Sequence, residues 1–268
     1  ERAENVENII VTGTRMSNRS EDDSPVPVDV ITGEEFRSNS SSDVQDMLRT
    51  NVPSFDVNTQ PISDAATIVR PANMRGLSPD NVLVLVNGKR RHRGSIISFL
   101  GGGISDGSQG VDISAIPSLA LKQVEVLRDG ASSQYGSDAI AGVLNFLLRD
   151  NDEGFEFRAN YGSTYEGDGD NYTISANAGF SLGDKGFVNV TGEIRDVEGT
   201  VRSVVRDDVA GMVDAGYITQ SDFSTINTYT NEVPQYWGQP EVEDDYKVFI
   251  NSGYELSDKA ELYLFGNY

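Results

Sequence analysis

Residues 111–146 read VDISAIPSLALKQVEVLRDGASSQYGSDAIAGVLNF. Val124, Val126 and Leu127 make a short apolar strand ahead of an Asp129-Gly130 turn, and the run GVLNFLL at 142–148 supplies a second. Upstream, the continuous apolar run from Val82 to Val86 closes on Asn87-Gly88, the pattern of a buried strand followed by a turn. Val26, Val28 and Val30 alternate as another short strand. Thr32 then stands before Gly33-Glu34-Glu35, where its hydroxyl can cap a helix whose third residue is an acid. Ser42 precedes a second helical pattern with Val44, Met47 and Leu48 on one face and Pro53 beyond its end. Strands and helices of this kind predict a small α+β domain.

The texture changes near residues 149–152. Residues 1–150 carry 20 acidic and 14 basic side chains, whereas residues 151–268 carry 22 and 7. Beyond this boundary, apolar residues alternate in long segments. Phe155, Phe157, Ala159, Tyr161 and Tyr165 oppose Glu156, Arg158, Asn160 and Thr164. Tyr172, Ile174, Ala176, Ala178, Phe180 and Leu182 oppose Thr173, Ser175, Asn177 and Ser181. The same period recurs over 187–197, 246–256 and 260–268. Segments of about 10–12 residues suit tilted strands crossing a bilayer. Tight turns at 183–186 and 257–259, set against a long acidic excursion over 198–245, resemble the alternation of short and long connections in outer-membrane barrels. A soluble β-sandwich alternates too, so period alone leaves both open.

Composition narrows the chemistry. The chain has no cysteine, which excludes disulfides and thiolate catalysis or metal sites. A net charge of −21 argues against a nucleic-acid partner. No run of 18 apolar residues offers a spanning helix. The glycine-rich loop 89–110 is not followed by a Gly-Lys-Ser/Thr motif or a helix start, so it makes a poor phosphate cradle. His92 is the only histidine, and no Gly-x-Ser-x-Gly elbow exists; neither a catalytic constellation nor a metal site is expected, and no cofactor is implied.

Several motifs in order resemble the plug domain of TonB-dependent outer-membrane receptors. They are ENIIVTG (7–13), NMRGL (73–77), VLVLVNGKR (82–90) and the 111–146 stretch, which is similar to the family's "IP…IERVEVLRG…YGS.AIGGVINI". Asp129 and Ala141 stand where the family has glycines. The resemblance implies an α+β plug over 31–150, preceded by a linker over 1–30. The first strands of an antiparallel transmembrane β-barrel would then span 151–268. Five strands cannot close a membrane barrel, which needs about 8 at least and about 22 around a plug. The chain is therefore expected to be the N-terminal portion of a longer receptor.

The resemblance also implies roles. Glu7, Asn8, Ile9, Ile10, Val11, Thr12 and Gly13 would be the TonB box gripped by a periplasmic energy transducer. The β-branched run 9–11 suits strand addition to another protein, and, on its own residues, pairing within the domain. Arg75, Glu125 and Arg128 would belong to ion pairs holding plug to barrel, with Glu156 and Glu193 as candidate partners; solvated surface pairs are the alternative. Asn58, Gln60, Arg90, Arg91, His92 and Arg93 would lie on apical loops facing an extracellular nutrient, such as a ferric siderophore or an acidic glycan; the basic residues could instead only balance acidic loops. The expected location is the bacterial outer membrane, with lipid around the barrel. The other readings are a soluble periplasmic or secreted β-rich binding protein and, weaker, a cell-surface enzyme.

Overall fold

The computed structural model describes residues 9–10, 12, 19–20, 28–38, 41, 43–57, 66–99, 103–202, 204–205, 207–217, 219, 234–235 and 238–268. The first part runs β1 (Ile9–Ile10), β2 (Arg19–Ser20), β3 (Val28–Thr32), α1 (Gly33–Ser38), α2 (Val44–Asn51), β4 (Phe55–Val57), α3 (Ala66–Val69), β5 (Ala72–Met74), β6 (Val82–Val86), β7 (Lys89–Arg90), β8 (Leu121–Leu127), α4 (Ser132–Tyr135) and β9 (Gly142–Leu148). The second runs β10 (Phe155–Gly162), β11 (Asn171–Ser181), β12 (Gly186–Val197), β13 (Val204–Val205), α5 (Asp207–Asp214), β14 (Pro234–Gln235), β15 (Val242–Ser257) and β16 (Ala260–Asn267).

The N-terminal domain is built on a sheet ordered β3-β8-β9-β6-β7. β6 and β9 run parallel, and the other neighbours are antiparallel. Both faces of this sheet are covered, so β6 reads VLVLV without alternation and all five residues are buried. One cluster joins Val84, Val124, Val126, Leu144 and Phe146 to Phe36, Met47 and Leu48 of α1 and α2. Leu83, Leu85, Leu127 and Val143 form a smaller cluster with Val28. Asn87 and Gly88 both have positive φ, 47° and 73°, in the two-residue turn from β6 to β7. That geometry suits a right-twisted hairpin and favours Asn-Gly.

Thr32 and Glu35 form the expected reciprocal cap. The Glu35 amide donates to the Thr32 hydroxyl at 3.2 Å, and the Thr32 amide donates to the Glu35 carboxylate at 2.7 Å. α2 starts from Asp43, whose carboxylate accepts from the Gln45 amide. Ser42 and Val26 lie outside the described residues.

The second sheet is an antiparallel meander, β10-β11-β12-β15-β16. The 198–245 excursion differs in detail from a plain loop: it carries α5 and the β13–β14 pair, and it ends where β15 begins at Val242. The faces of the meander are inverted relative to a soluble sheet. Phe155 is 73 % exposed, and Ile174 and Phe180 are also exposed, whereas Thr173, Ser175, Asn177, Asn189, Thr191 and Glu193 are buried, Asn177 at 1 %. The polar face packs on the N-terminal domain and the apolar face points outward, as a membrane wall requires and a sandwich does not. Phe249 is an inward exception. It leaves the polar face to join the core cluster of the N-terminal domain, with Phe265 packed beside it. Among the described residues no helix is long and apolar enough to cross a membrane, which leaves crossing by strands open.

Candidate functional site at the seam between domain and wall

The main seam contact is built around Asp43. The carboxylate that caps α2 also meets the Arg70 guanidinium, and Arg195 of β12 reaches the same oxygen at 3.4 Å. Arg195 lies 3.9 Å from Asp245, Lys247 lies 3.4 Å from Asp245, and Lys247 bonds Glu193 at 2.8 Å. Charges of alternating sign therefore run from Arg70 in the domain to Glu193 in the wall. Burial pushes the Asp43 carboxyl up, but Arg70, Arg195 and the amides of Gln45 and Asp46 outweigh it and hold it below the ordinary carboxylate range.

A cavity of about 650 Å³ opens beside this cluster. Asp43, Arg70, Arg195, Tyr161, Asn171 and Gln239 contribute to its lining. It lies at the end of the meander that bears the long excursion, opposite the tight turns at Gly183–Lys185 and 258–259. Arg202, at the start of the excursion, bonds Asp168 in the 163–170 connection at 2.5 and 2.7 Å. Hydrogen bonds from Arg202 and Thr164 hold the Asp168 carboxyl well below the usual range. This fastens the two connections together.

Further seam contacts stand lower on the wall. Arg149 donates to Glu156 at 2.6 Å and to Asn177 at 3.3 Å. Asn251 donates to the Arg149 carbonyl at 2.8 Å and accepts from Asn87 at 3.1 Å.

The expected ion pairs are redistributed. Arg128 pairs with Asp29 of β3 at 2.7 Å, and Arg75 lies 3.7 Å from Asp129, so both meet acids of their own domain. Glu125 is buried in the domain and takes hydrogen bonds from Thr12, Gln123 and Asn145. Of the two proposed wall partners, Glu156 meets Arg149, and Glu193 meets Lys247 inside the wall. In register, Glu125 lies opposite Val30 and Asn145 in the domain's own sheet.

Arg90 and Arg93 of the basic run are engaged within their own domain, whereas Arg91 reaches the wall. Arg90 meets Asp138 and the Tyr135 carbonyl, Arg93 lies 3.3 Å from Asp80, and Arg91 bonds Asn267 and sits 5.9 Å from the Phe249 ring. Arg90, Arg91 and Arg93 line a recess of about 190 Å³ with Asp80 and Asp138. His92 is exposed.

In the N-terminal segment, Ile9–Ile10 pair with Arg19–Ser20, the internal pairing that stood as the alternative to strand addition. Thr12 is buried. Glu7, Asn8, Val11, Gly13, Asn58 and Gln60 lie outside the described residues. Sequence reasoning missed Asp43, Arg70, Arg195 and Phe249. Period two puts Arg195 on the same face of β12 as Glu193, but nothing local told which domain residue would face it.

Residues 20–143 match the family model described as the TonB-dependent receptor plug domain, and the chain carries that domain. Three similar solved structures extend the likeness to the wall. A mutant of the ferric enterobactin receptor from Pseudomonas aeruginosa, in complex with enterobactin, is 18% identical with a TM-score of 0.60, covering 90% of this chain and 32% of that one. The siderophore receptor PirA from Acinetobacter baumannii is 20% identical with a TM-score of 0.59, covering 90% and 31%. The ferric-catecholate import receptor Fiu from E. coli is 17% identical with a TM-score of 0.54, covering 93% and 27%. In fold, the chain is a TonB-dependent receptor plug followed by antiparallel strands of an incomplete barrel. It spans about a third of the length of the receptors it matches.

Proposed function

We propose that the protein is a TonB-dependent outer-membrane receptor that imports a scarce nutrient, a ferric siderophore or a compound of similar size. The observation carrying this reading is the inverted wall, with a polar face on the plug and an apolar face turned outward. Such a wall is stable only with lipid on its outer side, because exposed apolar surface costs roughly 25 cal/mol per Å² in water. The long connections then lie outside the cell and the tight turns in the periplasm. The cavity beside Asp43 opens toward the outside, where it can receive the nutrient. Residues 7–13 are the segment gripped by the periplasmic transducer. Transport is by remodelling of the plug, with no covalent step.

Val11→Pro removes a backbone donor that strand addition needs. In cells limited for iron and supplied with ferric enterobactin as the trial nutrient, uptake is expected to fall to background with surface expression unchanged. Undiminished uptake by this variant overturns the assignment of residues 7–13. A full-length product that stays monodisperse in water without detergent overturns the membrane reading and favours a soluble binding protein.

A further inference from the structure

The cavity beside Asp43 is lined by two guanidinium groups that are not spent on acids. Arg195 is the first. Its side chain is 18 % exposed, and its ion contacts are long: Nη1 stands 3.4 Å from Asp43 and Nε 3.9 Å from Asp245. The Nε is buried and has no hydrogen-bond acceptor. A guanidinium carries five N–H donors in a fixed fork. Among the described residues this one places a single hydrogen bond, to Asp43. Arg49 is the second. It stands in the last turn of α2, is exposed on the cavity lining, and meets no acid among the described residues.

The other charges of the lining are paired off. Among the described residues its acids are Asp43 and Asp46, and Arg70 holds both, the second at 3.2 Å. With Arg49, Arg70 and Arg195 set against these two acids, the lining has one positive charge in excess. The side-chain amides of Asn160 and Asn171 also line the cavity and make no hydrogen bond among the described residues. What is left for a ligand is therefore a set of donors, two of them cationic. The basic run 89–93 has less to give, since Arg90 and Arg93 meet Asp138 and Asp80.

We propose that Arg49 and Arg195 receive an oxyanion of the nutrient in this cavity, a carboxylate, catecholate or phosphate group, with the amides of Asn160 and Asn171 donating beside it. The assignment rests on the reading of the cavity as the nutrient's place. Hydrogen bonds between ionised partners are roughly twice as strong as neutral ones, and the guanidinium fork matches a pair of oxygens. The oxyanion also supplies the acceptor that Arg195 Nε lacks, and a buried donor without one is costly. Arg49 belongs to the plug and Arg195 to the wall, so the group is held from both sides of the seam. A nutrient without it loses both contacts.

The test is isothermal titration of the detergent-purified full-length protein with three probes: citrate for a carboxylate, inorganic phosphate, and ferric enterobactin for a catecholate. At least one is expected to bind at low ionic strength, and which one binds identifies the source of the oxyanion. Arg49→Gln is expected to weaken that binding about tenfold, as loss of a hydrogen bond between ionised partners should. Arg49→Lys keeps the charge without the fork and should lose less. Arg195→Gln is expected to weaken binding at least as much as Arg49→Gln. Binding by none of the three probes overturns the proposal, and so does binding that Arg49→Gln leaves unchanged. Weaker binding by Arg49→Gln but not by Arg195→Gln overturns the part assigned to Arg195. Arg49 is exposed and bonds no described side chain, so its variants test the site even where Arg195→Gln fails to fold. Titration does not involve import. If a probe binds through Arg49 while cells take up none of the three, the site stands and the import reading fails. If cells take up a probe and Arg49→Gln takes it up equally well at every concentration, the site fails and the import reading stands.

Discussion

Replacing Asp43 by alanine is expected to loosen the plug from the wall more than any other single polar substitution. The carboxylate caps α2, holds Arg70, and is the plug's partner for Arg195 of β12. Its side chain is only 14 % exposed and those of the two arginines 13 % and 18 %, so the pairs are largely shielded from solvent. Breaking a buried pair by removing one partner costs roughly 3–5 kcal/mol, because the remaining charge stays buried. Loss of the helix cap adds about 1 kcal/mol. The measurement is the urea concentration at which a protease begins to cut the plug of the full-length protein; it should fall clearly for Asp43→Ala, and less for Asp43→Asn, which can still cap. A value equal to the unmodified protein's for both variants sinks the assignment. The pH dependence has a definite sign. The folded carboxyl is held below its ordinary value, so its contribution is complete above about pH 4, the unfolded value, and is lost only as pH falls through the lower folded value. Between pH 5 and 8 the clasp is constant, and the difference between Asp43→Asn and the unmodified protein should be flat across that range.

Phe249→Ala is expected to have an effect of similar size by a different route. The ring comes from β15 of the wall but is buried in the plug's cluster with residues such as Leu144 and Phe146. Truncating a buried phenylalanine costs roughly 3–5 kcal/mol through lost transfer energy and the cavity left behind. Here the lost contacts cross the seam, and the Arg91 guanidinium 5.9 Å from the ring loses its neighbour as well. The barrel strands themselves should be unaffected, since the ladder of β15 with β12 and β16 is made by backbone groups. The expected result is therefore earlier plug proteolysis with unchanged far-ultraviolet circular dichroism. Phe249→Leu, which refills most of the space, should recover most of the loss. Equal protease resistance of the alanine variant and the unmodified protein would show that the seam does not depend on this ring.

Both substitutions act at the seam, and the seam is where sequence reasoning stopped. The strands and their faces are local properties. Period two places Thr173, Ser175 and Asn177 together whatever they pack against. The continuous run of Val82 to Val86, the Asn87-Gly88 turn and the Thr32–Glu35 cap likewise depend on residues only a few positions apart. The resemblance carried by 111–146 supplied the family, and the plug model matching residues 20–143 agrees with it.

Side-chain partners across 100 or more residues are a different kind of quantity. Arg195 meets Asp43 across 152 positions, Asn145 meets Thr12 across 133, and Asn87 meets Asn251 across 164. Nothing in a strand's alternation says which of several acids an inward arginine will meet. For this reason Arg75 and Arg128, offered by resemblance as wall contacts, pair instead with Asp129 and Asp29, while Asp43 makes an ion pair to the wall. Phe249 shows the same limit for apolar residues. It stands on the side of its strand that faces the plug, where period predicts polarity, and only the plug core beneath it makes that position apolar. The sequence by itself determined which residues form strands, which face of each is apolar, and the class of plug, because these follow from short-range geometry and recognisable motifs. Only the tertiary structure decided which charges clasp and what Thr12 is tied to, because those depend on how a separate domain is seated against the wall.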